Sequence, residues 1–247
     1  MKTIVLAAGF STRLYPVTKN FPKALLLVGK KTIVDFVVEE ILAIKEIDEI
    51  CLITNDCFFR LFNEWKKKNY PNKKINIVNN GIKSLEKRLG AIGDLNFVLE
   101  KTGWQDDVLV VASDTLTSLK LKEFVNFFHK NQGVVTGIFK AKDRSEIANR
   151  LGCALIRGNK LVGFVEKPAK PPSLYMGVPY YIFPKEGLHL IQQYVKIGKN
   201  LDSPGSILTY LIGKTPAYVY RQDDGYYFDV GTNEIYNKVR SKRLSPG

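Results

Sequence analysis

Near the N-terminus the chain reads Leu6-Ala7-Ala8-Gly9-Phe10-Ser11-Thr12-Arg13-Leu14-Tyr15-Pro16, followed by Phe21-Pro22-Lys23. The run before Gly9 is apolar and β-branched at its centre, as expected of a short strand buried on both faces. Gly9 permits a tight turn and a close backbone approach, and Ser11 and Thr12 bring hydroxyl and N–H donors that suit phosphate oxygens. Arg13 adds a fixed planar cation, and Lys23 can return a mobile one to the same pocket. Two cations facing a donor-rich loop call for an anionic ligand. A plain strand-to-helix turn is the alternative on these residues alone. The loop lacks the Lys-Ser/Thr ending of a P-loop, and it is not G-x-G-x-x-G, since Ser11 stands at the second glycine.

Two aspartates stand out by their positions. Asp114 follows the apolar run Val108 to Ala112, so its carboxylate emerges at a strand end, where Mg²⁺ could take one or two carboxylates along with phosphate oxygens and water. Asp229 lies between the aromatic run Tyr226-Tyr227-Phe228 and a Gly-Thr helix start. For each, capping a turn or helix is the competing role. Asp223 and Asp224 read as surface turn residues. Glu166-Lys167-Pro168 follows a strand and precedes a proline-rich turn, where an exposed lysine is the plainer account. His129 and His189 are isolated, and Cys51, Cys57 and Cys153 have no metal-ligand spacing, so zinc and a disulfide framework are not expected.

These residues carry a family resemblance. Gly9 to Leu14 with Pro16, Thr18 and Pro22-Lys23 is similar to the signature of the sugar-1-phosphate nucleotidylyltransferases, whose commonest form has glycine where this chain has Ser11. The likeness continues through Leu89-Gly90-Ala91-Ile92-Gly93-Asp94, Ser113-Asp114, Glu166-Lys167-Pro168 and Phe228 to Thr232, covering nearly the whole chain in order. It implies transfer of a nucleotidyl group from a nucleoside triphosphate to a sugar-1-phosphate, with release of pyrophosphate. It also implies a set of roles. Leu6, Ala8, Gly9, Ser11, Thr12, Arg13, Lys23 and Gly90 would bind nucleotide, and Gly152, Glu166 and Lys167 the acceptor. Asp114 and Asp229 would bind Mg²⁺, and Arg13, Lys23 and Lys167 would neutralise the reacting phosphates. For Gly90, close helix packing is an equal reading. Base choice in such enzymes depends partly on a residue after the preceding strand, here Asn79 or Asn80, and the spacing assigns no base. The family also includes cytidylyltransferases acting on phosphocholine, inositol phosphate or another phosphorylated alcohol. A non-catalytic homologue that binds nucleotide-sugar would be expected to lack an acid or lysine of the set, and this chain retains all of them.

The elements that must position these groups are legible in the pattern. Strand-like runs at Thr3 to Ala8, Glu49 to Thr54, Ile75 to Val78, Val108 to Ala112 and Val134 to Phe139 alternate with helical runs such as Thr32 to Lys45 and Leu119 to Lys130. That alternation predicts a Rossmann-like, three-layer α/β/α fold with a mixed, mainly parallel sheet. Ligands in such sheets sit beyond the carboxyl ends of the strands. After Phe139 closer strands, Cys153 to Arg157, Leu161 to Glu166 and Tyr180 to Phe183, predict a small antiparallel extension carrying the acceptor. A helix is expected from Asn233 to Arg240. One domain is expected over 1–247, its N-terminal half for nucleotide and about 140–230 for acceptor. No hexapeptide repeat follows Gly231, so no C-terminal β-helix is expected, and a homo-oligomer would have to pair through the α/β body.

The 247 residues are 45% hydrophobic, enough for a sizeable core. No run approaches the roughly 18 apolar residues of a membrane span and no secretory leader is evident, so no membrane role and a cytoplasmic location are expected. The net charge of +13 admits a polyanionic partner, and Lys66-Lys67-Lys68 with Tyr70, Lys73 and Lys74 is the natural candidate patch for nucleic acid. Its position at the end of a helical run favours a solvated helix terminus instead, with no nucleic-acid partner.

Overall fold

Why the chain layers itself is visible in its first strand, where Ile4 and Val5 are both fully buried but belong to different apolar clusters. Successive side chains of a strand point to opposite faces, so a strand apolar at every position must be covered on both. The computed structural model describes residues 1–241. The expected domain's final six residues, 242–247, lie outside them.

The strands are β1 Lys2–Leu6, β2 Leu27–Val28, β3 Lys31–Thr32, β4 Glu49–Thr54, β5 Ile75–Asn79, β6 Val108–Ala112, β7 Thr115–Thr117, β8 Val134–Lys140, β9 Cys153–Arg157, β10 Lys160–Val165, β11 Tyr175–Phe183, β12 Ala217–Gln222 and β13 Tyr227–Asp229. The helices are α1 Ile33–Leu42, α2 Phe59–Asn69, α3 Gly90–Thr102, α4 Leu121–Asn131, α5 Leu188–Ile197, α6 Ser206–Leu211 and α7 Asn233–Ser241. Nine strands form one sheet in the order β5-β4-β1-β6-β11-β8-β12-β10-β9. The β5-β4-β1-β6 block is parallel, β11 runs against both β6 and β8, β12 is parallel to β8, and β10 runs against β12 and β9. The mixed, mainly parallel α/β architecture is therefore as expected.

One placement differs. In the expected extension β11, much longer than the expected Tyr180 to Phe183, is threaded between β6 and β8, directly beside the parallel block. Its register shifts between Gly177 and Tyr181, so its first half pairs with β8 and β9 and its second half with β6 and β8. An irregularity of this kind bends a strand, and here it carries one strand from the central sheet into the edge that holds β9 and β10.

On one face, α1, α2 and α4 contribute Val34, Val38, Phe62, Trp65 and Phe124 to a cluster with Val5, Leu52 and Leu109. On the other, α3, α5 and α6 contribute Ile92, Val98, Ile191 and Leu208 to a cluster with Ile4, Ile53 and Val110. The first layer is pinned by buried Asp35, whose Oδ1 accepts from Trp65 Nε1 and from the Tyr70 hydroxyl, each at 2.9 Å, and whose Oδ2 accepts from Thr32 N at 2.7 Å. A third cluster joins Leu14, Leu26, Val28 and Ile33 to Leu116, Val230, Tyr236 and Val239, packing α7 against the segment that follows the glycine turn. The lysines Lys66, Lys67 and Lys68 occupy the last turn of α2, where cations complement the helix dipole. No helix among the described residues is long and apolar enough to cross a membrane.

Candidate active site

Past the end of β1 the backbone remains held. Ala7 N donates to Ile53 O, Ser113 N donates to Leu6 O, and the buried amide of Asn55 donates from Nδ2 to Ala8 O at 3.0 Å. Asn55 Oδ1 in turn accepts from Phe58 N. The glycine turn therefore starts from a braced platform. Ser11 has φ 53 and ψ 41, the left-handed conformation that glycine adopts at no steric cost. Thr18 Oγ1 donates to Ser11 O at 2.8 Å and Leu14 N to the same oxygen at 3.0 Å, closing the loop. Leu14 is fully buried while Arg13 beside it is exposed to the cleft, so the leucine anchors what the arginine presents.

Asp114 leaves β6 and leads directly into β7, which pairs antiparallel with β13 so that Asp229 lies opposite Thr115. Val230 N donates to Asp114 O at 3.1 Å. The two acids thus belong to one ribbon despite their distance in sequence. Lys23 Nζ lies 2.5 Å from Asp114 Oδ2, with the lysine side chain 12% exposed. Burial is the main influence raising the carboxyl of Asp229 above its ordinary range, and the charge of Asp114 adds to it. Lys23, Arg13 and Lys167 pull it back. A Cβ on Gly231 would come within 3.0 Å of Arg13 Nη2 and 3.3 Å of Asp229 Oδ1, which fixes the guanidinium and the carboxylate on either side of that glycine. Neither acid caps α7, whose first turn is held by Thr232, with Oγ1 accepting from Ile235 N at 3.3 Å.

The other half of the cleft is built on β10. Glu166 follows it, raised above its ordinary range by burial, with the Lys167 charge and the Gly205 N–H partly offsetting that. Lys167 has φ 45, a backbone conformation rare for a side-chain-bearing residue and found preferentially where structure is committed to a ligand. Phe164, buried beneath them, is hemmed in by three glycines from different segments. A Cβ would meet its ring at 2.3 Å from Gly152, 2.7 Å from Gly177 and 2.4 Å from Gly205. The missing side chain of Gly152 thus makes room first for a protein ring.

At the opposite end α3 begins at Gly90, with φ 78. A Cβ there would fall 2.6 Å from the Leu201 carbonyl carbon and oxygen, and Ile92 N donates to Leu201 O at 2.9 Å. Gly90 is therefore a close-packing glycine, against the 198–205 loop and not against the sheet, and it also lines the cleft. Arg88 clamps that loop, Nε to Asp202 Oδ1 at 2.9 Å and Nη2 to Oδ2 at 2.7 Å.

The candidate groups face one cleft of about 430 Å³. Every residue given a nucleotide, acceptor or metal role by the resemblance lines it: Leu6, Ala8, Gly9, Ser11, Thr12, Arg13, Lys23, Gly90, Asp114, Gly152, Glu166, Lys167 and Asp229, whereas Asn79 and Asn80 do not. Also in its wall, and not anticipated, are Arg88, Asp94, Arg150, Phe164, Tyr181 and Asp202. The Arg-Leu-Gly order at 88–90 was the one available signal for Arg88, whereas Asn55 and Phe164 acquire their roles only through long-range packing. Among the described residues no group of three or more His, Cys, Asp or Glu is placed to hold a metal. Asp114 and Asp229 alone offer two carboxylates, so any ion held between them would have to complete its shell with ligand oxygens and water. His129 and His189 lie outside the cleft, against Glu46 and the Glu186 carbonyl.

Residues 2–245 match the family described as Nucleotidyl transferase. The chain is 27% identical over 245 residues to a putative mannose-1-phosphate guanyltransferase of Sulfolobus acidocaldarius, covering 99% of this chain and 64% of the relative. It is 26% identical over 241 residues to a UTP--glucose-1-phosphate uridylyltransferase of Synechocystis sp., covering 94% of this chain and 60% of the relative. The chain thus spans under two thirds of the length of either. A solved structure of a putative glucose-1-phosphate thymidylyltransferase from Bacillus anthracis superposes with a TM-score of 0.80 at 21% identity, over 99% of this chain and 97% of that one. A glycine loop, a split pair of acids and a family match that runs from the second residue almost to the last agree, and the chain belongs to the nucleotidyl transferase family.

Proposed function

We propose that the protein joins a nucleoside triphosphate to a sugar-1-phosphate, giving a nucleotide-sugar and pyrophosphate. An acceptor phosphate oxygen attacks the α-phosphorus in line, the bond from that phosphorus to the bridging oxygen of the β-phosphate breaks, and pyrophosphate leaves. The attacking phosphate is already ionised near neutral pH, so no general base is needed, and the barrier lies in bringing two polyanions together.

The reading is carried by one observation: Arg13, Lys23 and Lys167, from three separate segments, line one cleft with Asp114 and Asp229. In this reading the loop 9–12 cradles the triphosphate, Arg13 neutralises the departing phosphates, Lys23 lies at the α-phosphate, and Lys167 takes the acceptor phosphate. Glu166 receives acceptor hydroxyls over the floor made by Phe164. Asp114 and Asp229 would hold Mg²⁺, which when bound supplies charge neutralisation and a fixed template for the phosphates. The N-terminal half then serves the nucleotide and residues from about 140 to 230 the acceptor.

The test is pyrophosphate release from each common nucleoside triphosphate paired with a panel of sugar-1-phosphates, phosphocholine and inositol phosphate, with and without Mg²⁺. Turnover with a sugar-1-phosphate supports the proposal. Turnover only with a phosphorylated alcohol moves the acceptor to that class, and binding without turnover makes the protein a non-catalytic homologue.

A further inference from the structure

Asp94 is a cleft carboxylate for which phosphate transfer has no use. It sits one turn into α3, is 7% exposed, and lines the cleft. Its Oδ1 accepts from Asn80 Nδ2 at 2.7 Å, and Asn80 is itself fixed by accepting from Ile82 N at 2.9 Å. Among the described residues Asn80 is the one side chain hydrogen-bonded to Asp94, which leaves Oδ2 turned to the cleft. The charged group acting on Asp94 is Asp202, and Arg13, Lys23 and Lys167 are not among the influences on it. Asp202 is itself paired with Arg88, whereas Asp94 makes no ion pair among the described residues, and a buried carboxylate without a cation disfavours phosphate. It suits a neutral group that donates hydrogen bonds.

The strand order says which part of a nucleotide reaches it. Phosphate-facing groups emerge from β1 and β6, which are adjacent, and acceptor-facing groups from β10 on the far side of β6. Asn80 follows β5, on the other side of β1 with β4 between them. Two strand spacings separate β5 from β1, roughly 10 Å, which takes Asn80 and Asp94 past the sugar to the distal end of a nucleoside.

Resting on the nucleotide-transfer reading above, we infer that Asp94, oriented by Asn80, is the residue that selects the base, and that it selects one presenting an amino edge, with guanine the best fit. Guanine offers adjacent N1–H and N2–H₂ donors to a carboxylate, as carboxylates elsewhere accept from base amino groups. Uracil and thymine would set carbonyl oxygens on either side of their single donor against that same charge. The relatives reported above are named for guanine, uracil and thymine, so their names select no base.

Asp94→Asn is the informative change because it is isosteric. The new amide oxygen keeps the Asn80 contact, and the free corner turns from acceptor to donor. Calorimetric titration of the wild-type chain with GTP, CTP, ATP, UTP and dTTP is expected to rank GTP first. The variant is expected to lose on the order of 10²-fold for GTP, to gain for UTP, and to bind inorganic triphosphate as before. A wild-type preference for UTP or dTTP overturns the inference. So does an equal loss for all five nucleotides, which would place the carboxylate on the ribose. The binding measurement needs no turnover, so base selection without pyrophosphate release would sink the transfer reading and leave the role of Asp94 standing.

Discussion

Ser11 stands in a left-handed conformation and still closes the turn, because Thr18 and Leu14 hold its carbonyl from the other side. The conformation costs a non-glycine residue roughly 1–2 kcal/mol, while glycine gives back about 0.5–1 kcal/mol through its freer unfolded chain. Ser11→Gly is therefore expected to raise stability slightly, by up to about 1 kcal/mol in denaturant melts. At the charged groups of the cleft the expectation is the reverse of tolerance. Asp229→Ala and Lys167→Ala should each lower turnover on the order of 10²-fold or more with melting curves close to wild type. Rates within a few-fold of wild type for either variant would remove its assigned role. Asp94 offers a pH signature. Burial lifts its carboxyl to about 6 from an ordinary 3.8, so the folded state holds the proton more tightly than the unfolded one. Its contribution to stability is complete below about pH 4 and is lost as pH rises through 6, on the order of 2 to 3 kcal/mol. Asp94→Asn should consequently be more stable than wild type at pH 7.5 and gain little at pH 4, a comparison that paired thermal melts make directly.

At the scale of elements, two arrangements are under tension. Asp35 satisfies three donors from the start of α1, from α2 and from the residue after it, so Asp35→Ala strands them in the interior. A loss of about 3 kcal/mol or more is expected in urea unfolding. Phe164 is enclosed by Gly152, Gly177 and Gly205, and a methyl added at Gly152 has a ring in its way that cannot retreat toward the other two. Gly152→Ala should cost about 1–3 kcal/mol and raise the KM for acceptor more than the KM for nucleotide. These arrangements also show what sequence reading reaches. The glycine loop, β1, β4, β6 and the helices between them are written in contiguous residues whose period and punctuation are local. β11 was read at less than half its length, because Gly177 and Pro179 interrupt the strand pattern and only pairing with β8 and β9 keeps Tyr175–Val178 extended. Asn55 and Phe164 carry no local mark at all, and Asp94 is marked only as the end of the stretch from Leu89, since each takes its meaning from a partner brought up by tertiary packing.

Across the whole molecule the cleft gathers residues from Leu6 to Asp229, so a ligand filling it should tie distant segments together. Loop 198–205 is held against the start of α3 by Arg88 and by the backbone packed on Gly90. Hydrogen exchange in that loop is expected to slow when nucleotide binds, and the melting temperature to rise with nucleotide concentration as mass action requires. The positive charge of +13 lies mostly on lysines outside the cleft, as at the end of α2. The strand order has a further consequence during synthesis on the ribosome. Because β11 fills the place between β6 and β8 and β12 lies on the other side of β8, a nascent chain that has emerged only to about residue 140 holds three unmated strand margins, one on β6 and both on β8, and the ribbon bearing the second acid is not yet made. Such a fragment invites self-association. A gene split at that point should yield two insoluble pieces that recover a working fold only when produced together.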